Sequence, residues 1–261
     1  MNALDSLVEM TRTLGDPQND YVVIGEGNTS MRLDAESFAV KASGQQMHNI
    51  DADGFASVYL EPILGLLDHP PTSMSEQKRI TQSAVLPPNA LGGTEGGLSP
   101  SIEVSFHAML LQECGVKYIG HTHPTAINQV LCTEHAAAFA RQRRFPDEVV
   151  LCGPQSLLTP YGDPGLPLAL IMRHHLRQFI TQYGETPKLI LLQNHGMIAL
   201  GDTPGEILNI TAMAVKAAKI FAGALQLGKA TRLPDEEVQH LYKRPDEIYR
   251  RQLFVEDSKT H

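Results

Sequence analysis

Two histidines one residue apart, His121 and His123, close the apolar segment Val116-Lys-Tyr-Ile-Gly-His-Thr-His-Pro124. The segment reads as a β-strand, and Pro124 stops it. On a strand, residues i and i+2 point to the same face, so the two imidazoles converge. A third histidine lies far downstream in Leu189-Ile-Leu-Leu-Gln-Asn-His-Gly-Met-Ile-Ala-Leu200, a second apolar segment broken at Asn194-His195-Gly196. A chain carrying these two segments must bring two buried strands together if His195 is to join the pair. Three neutral imidazoles around an open position suit a catalytic divalent metal, zinc first. Each histidine taken alone is more often a structural side chain.

The remaining pattern alternates helices and strands. Apolar residues recur with a helical period from Leu4 to Leu14. Strands are predicted at Tyr21–Ile24, Thr29–Leu33 and Ser37–Ala42, joined by Gly/Asn turns as a meander. Ala56–Leu67 mixes a short strand with a helix. Residues 70–99 are rich in Pro, Gly, Ser and Thr, with helical character at Ser75–Ala84 and a loop at Pro87–Gly97. Ser99-Pro100 predicts a helix start, Ser as cap and Pro in the first turn, with the helix reaching Cys114. Thr125–Arg143 reads as mostly helical and Val149–Cys152 as a strand. Leu166–Tyr183 reads as a helix, and Thr203-Pro204 opens a long helix to Leu227. Short helices are expected from Pro234 to Phe254. With no linker between two cores, the chain reads as a single domain over 1–261 with a helical tail over 228–261. The alternation predicts an α/β fold, a mixed sheet covered by helices on both faces.

Composition narrows the partners. A net charge of −8, with no basic block to offset it, argues against nucleic acid or an anionic membrane as partner. No stretch of about 18 uninterrupted apolar residues predicts a membrane span. Three cysteines, Cys114, Cys132 and Cys152, without a C-x-x-C spacing read as small buried apolar residues in a reducing compartment. The first residues lack a basic start and an apolar run, so no secretory signal is expected and the cytoplasm is the expected location.

Two further clusters bear on chemistry. Glu103 falls in the predicted first turn of a helix, where a carboxylate commonly just complements the dipole; a role as general acid/base beside a metal is the sharper reading. His107, one turn on, is a simple i,i+4 partner. Gly25-Glu-Gly-Asn-Thr-Ser30 and Lys41-Ala-Ser-Gly44 are either plain hairpin turns or loops offering backbone N–H groups and hydroxyls to an anion. A dinucleotide fingerprint fails, because Ser30 replaces its third Gly and a strand follows. A cupin-type metal site fails too, because Ile127 and Asn128 stand where its Glu is needed. His174-His175 reads as a partly exposed helix face.

In order, Gly27-Asn-Thr-Ser30, Ala42-Ser-Gly44, Pro100-Ser-Ile-Glu103, His121-Thr-His123 and Asn194-His-Gly196 resemble the class II aldolase/adducin family, over roughly Leu4–Leu227. The look is that of the aldolase domain of rhamnulose-phosphate aldolase/dehydrogenases and of fuculose-phosphate aldolases. The resemblance implies a three-layer α/β/α sandwich with a mostly antiparallel sheet, assembled as a homotetramer. It implies His121, His123 and His195 as ligands of Zn2+ or another divalent metal. It implies Glu103 as the catalytic acid/base, which in the family can also ligate the resting metal. Asn28, Ser43, Gly44 and Ser101 match the phosphate-binding positions. Tyr242 and Tyr249 are candidates for an additional acid supplied by a neighbouring subunit. The activity implied is cleavage of a ketose 1-phosphate to dihydroxyacetone phosphate and an aldehyde. Alternatives on the same site are epimerase, dehydratase or decarboxylase chemistry, or a non-catalytic adducin-like module. One departure stands out: the family's usual Pro-Ser-Ser-Glu has Ile102 for its second Ser, one hydroxyl fewer for a phosphate.

Overall fold

The computed structural model describes residues 3–87, 98–247 and 249. Its strands form a mixed seven-stranded sheet with flanking helices, in the order β3-β2-β1-β4-β7-β6-β5. In chain order the elements are α1 (Ala3–Leu14), β1 (Asn28–Arg32), β2 (Ser37–Lys41), β3 (Phe55–Tyr59), α2 (Leu60–Asp68), α3 (Met74–Ser83), α4 (Val104–Glu113) and β4 (Tyr118–Thr122). There follow α5 (Thr125–Leu131), α6 (Ala136–Arg141), α7 (Pro146–Cys152), β5 (Leu157–Thr159), α8 (Leu166–Tyr183), β6 (Leu189–Leu192), β7 (Gly196–Gly201), α9 (Pro204–Leu227) and α10 (Asp235–Lys243). Three of the pairings are antiparallel, β1 with β2, β2 with β3 and β6 with β7, whereas β5 and β6 run parallel. The chain divides into two compact units, Met1–Gly120 with Gly162–His174, and His121–Tyr161 with His175–His261.

In the first unit, the meander β1–β2–β3 is in register through Ser30↔Val40 and Ala39↔Ser57. Strand alternation sorts β1 cleanly. Thr29 turns to α1, where its hydroxyl meets that of Thr11 at 2.6 Å, while Asn28 and Ser30 turn to His107 of α4. Helix α4 is buried from Val104 to Leu111, so its flanks reject charge and only residues with partners inside the fold can be polar there.

In the second unit, α9 packs against α5, α7 and β7. Thr203 caps it by accepting from the Glu206 N–H at 3.2 Å, with Pro204 in the first turn. This 24-residue helix meets the length and apolarity of a membrane span, but Ile207, Ile210, Ala214, Ala218 and Phe221 are buried in the unit's core. Arg143, fully enclosed, donates to the carbonyls of Gly153, Ala140 and Cys152 and to Ser156. Glu148 lies 3.9 Å from it and pairs with Arg144, whose guanidinium stacks over Phe139 and Phe221.

Several expectations need correction. Tyr21–Ile24 is not a strand. Asp20 and Ile24 both have positive φ (55° and 56°), and Glu26 N–H folds back on the Val23 carbonyl at 3.1 Å, so the apolar run is a turn. Val149–Cys152 is the end of helix α7, opened by Pro146 with Asp147 and Glu148 in its first turn. A run of four apolar residues carries no period, and the helix start before it was the decisive signal. The strand in this region is β5, which the sequence reading did not find. Ser99-Pro100 does not start a helix either: Pro100 bridges to Ala42, Ser43 N–H donates to Ser99 O at 2.8 Å, and Ser101 N–H donates to Lys41 O at 3.1 Å. Extended backbone before a proline favours this pairing, and helix α4 begins only after Glu103. Cys132 is exposed and Cys114 half-buried, so Cys152 alone is the buried thiol expected of all three. Burial pushes the Cys114 and Cys152 thiols up to about 12. The loop expected at Pro87–Gly97 and the tail beyond residue 249 lie outside the described residues, Pro87 excepted.

Candidate metal centre and the acid/base cluster

Strand β4 delivers His121, fully buried, and the chain leaves the strand with His123. The β6–β7 hairpin delivers His195. Its turn, Gln193-Asn194-His195, places Asn194 in the left-handed region at φ 56°, a conformation asparagine tolerates. Backbone bonds pin this turn: Gln193 N–H to Thr159 O at 2.9 Å and His195 N–H to Leu192 O at 3.1 Å. Asn128, one turn into α5, donates to the His195 carbonyl at 2.9 Å. Gly196 follows because no side chain fits there: a Cβ would sit 2.6 Å from Thr122 O and 2.7 Å from His123 Cδ2.

The three rings meet in pairs at right or steep angles, with centroids 4.7, 5.0 and 4.8 Å apart. One nitrogen from each lies within 4.8 Å of the others, and this is the three-member His/Cys/Asp/Glu group among the described residues. His121 Nδ1 donates to Met197 O at 2.9 Å, which fixes the tautomer and leaves Nε2 as the ligand atom. That Nε2 stands 2.9 Å from Nε2 of His123. Tetrahedral zinc with bonds of about 2.0–2.1 Å separates its nitrogens by roughly 3.3 Å, close to the spacing of the His121–His123 pair, and the trio could hold a divalent ion. Burial first, then the neighbouring His195, pushes the His121 imidazole down to about 3, against the opposing bond to Met197 O. The ring is therefore neutral throughout the ordinary pH range, the form that metal binding requires.

In the first unit, a second cluster gathers Asn28, Ser101 and Glu103. Asn28 Nδ2 donates to Glu103 Oε2 at 2.8 Å and to Ser101 Oγ at 3.0 Å. Glu103 N–H also donates to Ser101 Oγ, at 3.3 Å. Glu103, only 5% exposed, occupies the cap position of α4 without capping it; the expected placement in the first turn is off by one residue. Its carboxylate is committed to Asn28, which rules out the bland reading of a solvated dipole partner. The 41–43/99–101 pairing sets Ser43, followed by Gly44, beside Ser99, two residues before Ser101. Ser43 and Gly44 are exposed, with Gly44 at φ 83°, but the Ser43 N–H is already bound to Ser99 O. Lys41 Nζ donates to Gln45 O at 2.6 Å; burial pulls its ammonium down and the Glu103 charge opposes that. Ile102 is 64% exposed between two buried polar neighbours.

The sequence reading missed three supporting features: the Met197 carbonyl, the Asn128 amide, and the hydrogen bonds of His107 to Asn28 and Ser30. Asn128 stood in view as the residue one turn after His-Thr-His-Pro. Met197 contributes only a carbonyl, for which no side-chain signal exists. Of the C-terminal tyrosines, Tyr242 donates to Glu185 at 3.3 Å and Tyr249 is 61% exposed.

The curated 3-oxo-tetronate 4-phosphate decarboxylase of Haemophilus influenzae is 25% identical over 228 residues, 87% of this chain and 90% of that protein. The uncharacterized oxidoreductase YuxG of Bacillus subtilis is 23% identical over 205 residues, 76% of this chain but only 26% of that protein, so the chain spans about a quarter of that relative. Among solved structures, an L-fuculose 1-phosphate aldolase superposes with TM-score 0.68 at 18% identity, covering 93% of this chain and 95% of that one. Residues 5–222 match the family described as Class II Aldolase and Adducin N-terminal domain, and the chain belongs to that family.

Proposed function

We propose that this protein is a metal-dependent carbon–carbon lyase acting on a small phosphorylated sugar, in its aldolase form cleaving a ketose 1-phosphate to dihydroxyacetone phosphate and an aldehyde. The observation that carries the reading is the convergence of three imidazole nitrogens within 4.8 Å. A divalent metal held by His121, His123 and His195, Zn2+ first, supplies Lewis-acid stabilisation of charge developing on the substrate carbonyl oxygen. Asn28, Ser101 and the Ser43-Gly44 turn are proposed to bind the phosphate. Glu103 is proposed as the acid/base: as the C3–C4 bond breaks, the C4 hydroxyl gives up its proton and becomes the aldehyde carbonyl, the bonding pair passes to C3, and Glu103 returns a proton to C3, so the proton count is unchanged. The bond from Asn28 keeps the carboxylate in one orientation for that transfer. A homotetramer in the cytoplasm, with an additional acid from Tyr242 or Tyr249 of a neighbouring subunit, belongs to the same proposal.

A second reading is decarboxylation of a phosphorylated 3-oxo sugar acid, in which the departing carbon leaves as carbon dioxide. The Haemophilus relative, matched along 90% of its length, favours it.

One experiment separates the readings: a panel of ketose 1-phosphates and 3-oxo sugar-acid phosphates, assayed for dihydroxyacetone phosphate and for carbon dioxide, with and without chelator. Chelator-sensitive dihydroxyacetone phosphate and an aldehyde, released from a ketose 1-phosphate without carbon dioxide, is the expected result. Carbon dioxide released from a 3-oxo sugar-acid phosphate establishes the second reading, since a four-carbon 3-oxo acid 4-phosphate that loses its carboxyl also leaves dihydroxyacetone phosphate, and turnover indifferent to chelator overturns both.

A further inference from the structure

We infer that His107 is a positioning residue that sets the direction of every hydrogen bond around Glu103, an inference that rests on the proposed role of Glu103. His107 is fully buried in α4. Its Nε2 lies 2.5 Å from Asn28 Oδ1, and its Nδ1 lies 2.7 Å from Ser30 Oγ. A carboxylate oxygen only accepts, so the amide nitrogen of Asn28 must face Glu103 Oε2 and the amide oxygen must face His107. An amide oxygen also only accepts, so His107 carries its proton on Nε2. Nδ1 then accepts, and the Ser30 hydroxyl donates to it.

The chain of direction runs onward. Both Asn28 Nδ2 hydrogens are spent, one on Glu103 Oε2 and one on Ser101 Oγ. Ser101 Oγ accepts a second bond from the Glu103 N–H. Its lone pairs are taken, so its own proton is left to donate, and a phosphate or carboxylate oxygen is the acceptor it suits. Ser30 and His107 thus orient two groups through Asn28: the Glu103 carboxylate and the outward-donating Ser101 hydroxyl. A ring accepting at Nε2 would turn the Asn28 amide over and set its oxygen against the Glu103 carboxylate.

The test uses the full-length, metal-loaded protein. Long-range proton–nitrogen NMR of histidine-labelled chain, with the His107 signals assigned by their loss in His107→Gln, reads the tautomer whether or not any substrate is known. The Nε2–H form is expected, and the Nδ1–H form overturns the inference. On the substrate found by the panel, His107→Leu is expected to lower kcat by about 100-fold, the usual cost of a misplaced reacting group, with metal content unchanged. His107→Gln, whose amide N–H still reaches Asn28, is expected to recover to within about 5-fold of wild type. Equal damage in both variants at unchanged melting temperature overturns the inference. Should His107→Leu fail to fold, Ser30→Ala tests the same relay from its far end: a rise in the Nδ1–H population supports it, and no change overturns it. If the whole panel is inert, the proposed function fails, while the tautomer still decides the relay.

Discussion

Gly196 stands so close to His123 that a Cβ at Gly196 would lie 2.7 Å from the imidazole Cδ2, and 2.6 Å from the Thr122 carbonyl oxygen. The glycine is needed for proximity, since the left-handed residue of this turn is Asn194. Gly196→Ala must therefore push the His123 ring or the β4 carbonyl aside. The expected outcome is a loss of about 1–3 kcal/mol in stability and a roughly tenfold or larger loss in metal affinity. Urea denaturation and metal titration of the variant measure the two. Wild-type metal affinity in Gly196→Ala would show that the ring accommodates a methyl group.

Glu103→Gln and His195→Ala are expected to separate chemistry from metal binding. The first should keep the fold and one metal per chain yet lose turnover by at least about 100-fold, the ordinary contribution of a positioned acid/base. The second should lose metal and activity together. Elemental analysis beside a turnover assay checks both, and an unchanged rate in Glu103→Gln removes this residue from the reaction.

The stability of the metal-free protein should depend on pH through His121. Its imidazole is pushed down to about 3 in the fold, while an unfolded histidine titrates near 6.5. Above 6.5 neither state takes up the proton and stability is full. As pH falls from 6.5 toward 3 the unfolded chain binds a proton that the folded chain refuses, so stability drops by up to about 1.4 kcal/mol per pH unit. Urea midpoints at pH 7.5 and 5 in chelator are the measurement. His121→Asn, which keeps a donor for Met197 O but cannot titrate, should lose less; an equal loss assigns the effect elsewhere.

Arg143→Leu should destabilise the protein by about 3–5 kcal/mol, since it takes the guanidinium donors from the carbonyls of Gly153 and Cys152 and from the Ser156 hydroxyl, removes one of the donors to the Ala140 carbonyl, and leaves buried Glu148 with one cation fewer. Equilibrium unfolding reads this directly, and a loss under 1 kcal/mol would mean that water replaces the guanidinium.

Where physics is local, the sequence by itself determined the outcome. The two-residue period of a strand put His121 and His123 on one face, the Thr203-Pro204 start opened α9, and Gly184 ended α8, because each depends on neighbours a few positions away. The same local logic failed at Val149–Cys152 and Tyr21–Ile24, where four apolar residues are too few to show a period. It failed again at Ser99-Pro100, where the end of β2 competed for the same backbone groups and won. Only the tertiary structure decided that Asn28 meets Ser101, Glu103 and His107, partners 73, 75 and 79 positions away, and that Met197 lends its carbonyl to His121. The physical reason is that buried donors and acceptors must be paired by whatever the fold brings within about 3 Å, and sequence separation carries no record of that meeting.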